Sequence, residues 1–277
     1  MMISTPNSQT DGEKTSGSIS AIKGKKWGSA AAAAGAVLFW LAVWQLCSLA
    51  VGRELLVPSP LTVALRLLEL SKDGSFWLTC AASVGRIVGG FALAALLGAL
   101  LAAAGHVFYP AAALTEPLMT AVRATPVASF IILALLWLPR GGVSVFIAVL
   151  IVTPIFYSNI KAGLLSFDRD ILEMAELYEI PFIKRLGAIY LPRMLPHFTA
   201  ACSNGVGFAW KAGISAEVLG NPHVSIGRML YESKIYLETV DLFAWTAAVV
   251  LMSLVIEKLV LRLIRSAAEN SAAEEKR

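Results

Sequence analysis

Charge is scarce in this chain. Only 15% of its 277 residues are Asp, Glu, Lys or Arg, where a soluble domain carries about a quarter. That excludes an ordinary solvated surface over most of the length. The formal net charge of +4 is small. It fits basic loops beside a membrane and does not suggest nucleic acid as a partner. Cysteine is nearly absent: Cys47, Cys80 and Cys202 stand far apart, with no CxxC or Cys/His metal spacing, and read as small apolar fillers. His106, His197 and His223 form no ligand pattern either. The sequence holds no HExxH, no GxSxG, no dinucleotide fingerprint and no Walker A pattern. An intramembrane enzyme therefore has no catalytic constellation to work with, and ATP has no site of its own here. We expect no bound cofactor and no metal.

What is abundant is apolar residue, 57% of the chain. The expected fold is an all-α integral membrane protein of about six transmembrane helices. Met1 to about Gly28 is polar and reads as a disordered tail. About 29–51 is the first span, too long for the apolar core of a signal peptide (roughly 7–15 residues). Pro58-Ser59-Pro60 marks a turn, and Leu61 to Leu70 an amphipathic surface helix well short of the ~20 residues a span needs. The second span, 79–104, is rich in Gly85, Gly89, Gly90 and Gly98, which allow close helix contact. Arg86 near its outer end is read as snorkelling. The third, 111–138, carries Pro117 and Pro126 and should be kinked or broken. Glu116 and Arg123 lie seven apart, on about one face but roughly 10 Å apart along it. The fourth span runs 143–159. The fifth, 196–220, is unusually polar, with Asn204, Trp210, Lys211 and Glu217. A short amphipathic helix is expected within 225–236, then a sixth span from 239 to 256 and a polar tail from 266 to 277. The membrane domain is thus 29–265.

Between the fourth and fifth spans, about 161–193, lies a charge-rich interval. Glu173, Glu176 and Glu179 alternate with apolar residues in its first half, Lys184 and Arg185 in its second, with Pro181 between them. Two amphipathic half-helices with a bend are expected, opened by Asp168 and Asp170 and closed by Leu191-Pro192. With the N-terminus inside, fourteen of the 23 lysines and arginines fall on the inner side and six outside, leaving Arg86, Arg123 and Lys211 within spans. That bias puts both termini and the hairpin in the cytoplasm.

Glu173-Met174-Ala175 followed by Leu191-Pro192 resembles the Glu-Ala-Ala loop of ABC-importer permeases. Met174 replaces the usual Ala, and Glu179 stands where the family usually has Gly, so the bend is expected to be made differently, with help from Pro181. Arg123-Ala-Thr-Pro126 and Trp210-Lys211-Ala-Gly-Ile-Ser-Ala-Glu217 are similar to segments of nitrate/sulfonate/taurine-type permeases. The resemblance implies the type I importer permease fold in a bacterial cytoplasmic (inner) membrane. It also implies a coupling helix at Glu173, Met174, Ala175, Glu176, Glu179, Pro181, Leu191 and Pro192. The implied partners are a dimer of ATPase subunits, which use ATP-Mg, an extracytoplasmic solute-binding protein, and a second, identical permease within the lipid. Arg123, Pro126, Asn204, Trp210, Lys211 and Glu217 are candidates for the translocation pathway or gate. The competing reading is a stand-alone ion-coupled carrier using Glu116, Arg123, Lys211 and Glu217 as a relay, weakened by the lack of an inverted repeat.

Overall fold

The structure, a computed structural model, describes residues 26–167 and 169–274. Most of the expected N-terminal tail, Asp168 and the last three residues lie outside that range. Among the described residues every regular element is helical. The chain divides by its contacts into two units, one ending at Arg53 and one beginning at Glu54. The first contains α1 (Lys26–Val51), whose Val37, Leu38, Phe39, Trp40, Leu46 and Leu49 are exposed. Such side chains outward on a 26-residue helix suit lipid rather than water.

The second unit begins with α2 (Pro60–Leu70). Ser59 caps it by accepting from the Thr62 N–H, and Pro60 fills the first turn, where a missing N–H costs nothing. So the Pro-Ser-Pro turn is also a helix start. Arg66 of α2 clasps Asp241 with two hydrogen bonds of 2.6 and 3.0 Å, and Asp241 and Glu69 together hold the guanidinium protonated well beyond its ordinary range.

α3 (Gly74–Val107) starts on an Asp73 cap. The Ser75 N–H and hydroxyl hold the Asp73 carboxyl below its usual value. α4 (Tyr109–Ala124) and α5 (Val127–Trp137) are the two halves of the expected third span, and their axes turn through 106° at Thr125-Pro126. The break falls at one proline only: Pro117 sits inside α4. α6 (Arg140–Leu165) is longer than the expected fourth span and carries Pro154 inside it. After the hairpin come α9 (Leu191–Gly220), α10 (Ile226–Ile235) and α11 (Thr239–Glu274). α11 continues well past Ile256, so the sixth helix is twice the expected length.

By length and apolarity α1, α3 and α6 qualify as spans, and the bent pair α4–α5 makes a fourth. α9 has the length for crossing at 30 residues, but its polar residues dilute its apolarity. The apolar part of α11, Thr239 to Ile256, contains one charge, Asp241.

α6 is the hub, packed between α3 and α9. The approach to α3 depends on Gly90 and Gly98. A Cβ on Gly90 would lie 2.8 Å from Ala148 Cβ, and one on Gly98 would lie 2.6 Å from Phe156 Cβ. With Ala94, fully buried between them, they form a small-residue seam of spacing four. Gly85 and Gly89 face open space and do not serve this contact. Phe91, Phe156 and Phe198 stack edge-wise or tilted in the core at centroid distances of 5.5 and 5.6 Å. Leu93, Leu96 and Leu100 point outward and are exposed, as lipid-facing residues must be.

Candidate functional site

The hairpin between α6 and α9 consists of α7 (Arg169–Leu177), α8 (Phe182–Arg185) and a π-helical turn, Leu186–Tyr190, that runs into α9. α7 ends in a Schellman turn. Ile180 N–H donates to Ala175 O at 3.0 Å and Glu179 N–H to Glu176 O at 2.9 Å, with Glu179 at φ 51°. That left-handed position is the one glycine usually fills. The bend is therefore made in the ordinary way, with a glutamate accepting the strain, and the expectation of a different bend is corrected. Pro181 follows, where the helix has already stopped. Arg185 Nε donates to Ile180 O at 2.7 Å and ties the second half-helix to the bend.

Ala175 is fully buried while Glu173, Met174, Glu176, Leu177, Tyr178 and Glu179 are exposed. The small residue anchors the element, and a mixed acidic and apolar surface surrounds it. Leu191 and Pro192 do not close the hairpin as expected. They open α9, Pro192 in the first turn, where its missing donor is tolerated.

The charges of the spans separate into three places. Glu217, fully buried, accepts from Ser83 Oγ at 2.7 Å and from Arg86 Nε and Nη2 at 3.0 and 2.8 Å. Arg86 Nη2 also donates to Val224 O at 2.7 Å. The start of α10 lies against this pair. Ile226 N–H donates to Ser83 Oγ at 2.9 Å and Gly227 N–H to Glu217 Oε2 at 3.3 Å. A carboxylate at a helix N-terminus is favourable for the helix dipole. α3, α9 and α10 are thereby pinned at one point. Arg86 does not snorkel as expected; it neutralises Glu217.

Glu116 does not meet Arg123. It pairs with Lys161 of α6, while Arg123 Nη2 donates to Pro154 O at 2.6 Å. Both contacts fasten α4 to α6. Pro126 sits exposed at the α4–α5 break. Trp210 is buried and its indole N–H donates to Val249 O at 3.1 Å, which turns it toward α11. Asn204, Phe208, Lys211, Ser215 and Leu219 form an exposed stripe along α9, while Gly205, Ala209, Ala212 and Ala216 are buried. The spacing of four, three, four and four keeps that stripe on one face. Among the described residues no group of three His, Cys, Asp or Glu side chains could hold a metal.

Sequence reasoning missed the Arg86–Glu217 pair. Its partners are 131 residues apart and carry no local pattern. The available signal was that a carboxylate inside a span requires a cation; three were on offer and spacing could not choose.

Long apolar helices, one of them a bent pair, with leucines turned outward make this a multi-pass membrane protein. Residues 94–266 match the family described as binding-protein-dependent transport system inner membrane component, and the chain belongs to that family. It is a multi-pass membrane permease subunit rather than an enzyme. The chain is 26% identical to the permease protein SsuC of Bacillus subtilis (strain 168), named for aliphatic sulfonates transport, over 74% of each. It is 25% identical to the bicarbonate transport system permease protein CmpB of Synechococcus elongatus, over 71% of this chain and 74% of that one. It is 23% identical to the taurine transport system permease protein TauC of Escherichia coli (strain K12), over 77% and 80%. Its fold is similar to a chain of the MetNI methionine ABC transporter in inward-facing conformations, with a TM-score of 0.51 at 14% identity, over 69% of this chain and 93% of that one.

Proposed function

We propose that the chain forms, with a second identical copy, the membrane pathway of an ATP-driven importer for a small oxyanion or zwitterion of the sulfonate, taurine or bicarbonate kind. A solute-binding protein delivers the solute at the outer face. A dimer of separate ATPase subunits binds ATP-Mg and grips the hairpin from the cytoplasm, where both termini also lie. The greater number of lysines and arginines on that side, fourteen against six, supports that orientation. The relatives' names support the solute class.

The observation that carries the reading is the hairpin's construction. Glu173, Met174 and Glu176 are exposed around a buried Ala175, and a hydrogen-bonded bend stiffens the end of α7. The π turn then leads without a flexible linker into α9, which bears the polar stripe. A force on α7 thus reaches the pathway through helix. ATP must favour one state by differential contacts; moving a population from 1:99 to 99:1 takes about 5.5 kcal/mol. That amount is available from a few buried contacts at α7 in each of two copies. Asn204 and Lys211 line the passage, with Arg123 and Pro126 setting the α4–α5 break beside it. Glu217 and Trp210 act from behind, holding α9 against α10 and α11.

Glu173→Lys should leave the protein in the membrane at its normal level and abolish uptake. Normal uptake by that variant would refute the coupling role. The ion-coupled carrier is disfavoured because its relay is not assembled: Glu217 is satisfied by Arg86, Glu116 by Lys161, and Arg123 by a carbonyl.

A further inference from the structure

We propose that Lys211 is a charge filter: its ammonium makes the passage itself select for negative solutes, independently of what the solute-binding protein delivers. The inference rests on the reading above that the exposed stripe of α9 faces the pathway.

Three cations lie within the spans; the structure neutralises one and ties a second, still charged, to a carbonyl. Arg86 is neutralised by the buried carboxylate of Glu217 and bonded to Val224 O. Arg123 donates to Pro154 O on α6. The Lys211 side chain has no hydrogen bond and no ion pair among the described residues and is exposed. Its neighbour one turn on, Ser215, is exposed too, but its hydroxyl is spent on the Lys211 carbonyl at 2.8 Å, so it offers the ammonium no relief.

Lys211 cannot escape to a membrane surface. It stands nine residues before the end of α9 at Gly220 and twenty after its start at Leu191, roughly 2.5 and 5.5 turns. Snorkelling serves residues near helix ends. An unpaired ammonium at this depth must meet water or protein, and the stripe it shares carries Asn204 and Ser215 as well as Phe208 and Leu219. No carboxylate shares the stripe to cancel it. A cation in a narrow aqueous passage with low-dielectric walls raises the local concentration of anions and lowers that of cations. Two identical subunits would present two.

The test needs no knowledge of the solute. Ser215→Cys places a thiol one turn from Lys211, in a Cys47→Ala background, since Cys80 and Cys202 are buried. The assembled transporter in membranes is treated with a sulfonate-bearing and a trimethylammonium-bearing methanethiosulfonate, and the ratio of their rates is read. The ratio cancels any effect of Lys211 on the thiol's own reactivity. A unit charge about 6 Å away at near-bulk dielectric shifts each rate about threefold, in opposite directions, so Lys211→Gln should lower the anion-to-cation ratio about tenfold. Lys211→Arg should keep it. A ratio unmoved by Lys211→Gln, and by Lys211→Met if the first variant assembles poorly, overturns the filter. So does a thiol that neither reagent reaches. If that transporter still hydrolyses ATP in response to a binding protein, the importer reading stands and only the filter falls.

Discussion

Removing Arg86 should cost more than removing the residue it serves. Arg86→Met leaves the Glu217 carboxylate fully enclosed, with only Ser83 Oγ and the Gly227 N–H still donating to it. Breaking a buried pair from one side costs about 3–5 kcal/mol. Glu217→Gln leaves Arg86, whose side chain is 22% exposed and keeps its bond to Val224 O. That cation reaches water, so we expect about 1–3 kcal/mol, the cost of lost charge-assisted hydrogen bonds. The double variant Arg86→Met/Glu217→Gln should be more stable than Arg86→Met alone, which requires an interaction energy larger than the whole Glu217→Gln loss. Unfolding of the three variants by sodium dodecyl sulfate in mixed micelles measures the cycle. Additive losses, or an Arg86→Met variant within 0.5 kcal/mol of the parent, would refute the assignment of Arg86 as the neutralising partner. The three helices meeting there should respond together. The accessibility of a cysteine introduced just before α10 should rise in Arg86→Met, because Val224 O loses its bond from Arg86.

Gly227→Ala would set a Cβ 2.3 Å from Glu217 Cβ and 2.4 Å from the Val218 N. Backbone cannot yield, so overpacking should cost at least about 3 kcal/mol. Gly89→Ala, facing open space, should instead raise thermal stability by up to about 1 kcal/mol through helix propensity; equal effects of the two would show that α10 is misplaced. Glu179→Gly should relieve a left-handed strain of about 1 kcal/mol, less ~0.5 for glycine's freer unfolded state, and keep transport. Glu179→Val should make the hairpin more sensitive to limited proteolysis, and indifference to both would count against the Schellman bend. Asp73 is held ionised by Ser75, so its cap stabilises above its unfolded value near ~3.9 and fades as pH falls through its lower folded value. The deficit of Asp73→Ala should accordingly shrink in acid, by thermal scans from pH 7 downward.

The fold was legible where local punctuation is strong. The amphipathic pattern of Leu61 to Leu70 marked α2, Pro126 marked the break in the third span, and the apolar residues themselves marked α3 and α6. Proline was over-read elsewhere: Pro117, expected to kink or break the third span, and Pro196, expected to start the fifth, both sit inside helices, because packed neighbours in a membrane domain can satisfy the freed carbonyls. Glycine was over-read in the same way. Only Gly90 and Gly98 lie on the seam with α6, and composition cannot say which face of α3 is turned inward. The hairpin stood out as a charged interval between apolar ones. Its bend did not, because a glutamate holds a glycine position and only backbone geometry shows it. The pathway candidates were chosen for polarity and for resemblance to segments of the family. Burial divides them into Asn204 and Lys211 outside, and Trp210 and Glu217 inside. The cation that neutralises Glu217 came from a span whose arginine had seemed peripheral.

The measurement that bears most directly on the account is purification of the tagged chain from its native membrane in mild detergent, with mass spectrometry of what accompanies it. The account predicts an ATPase subunit in equal number to the permease, lost in Glu173→Lys while the permease pair remains. A chain that emerges without an ATPase across several detergents, or an ATPase retained undiminished by Glu173→Lys, would contradict it.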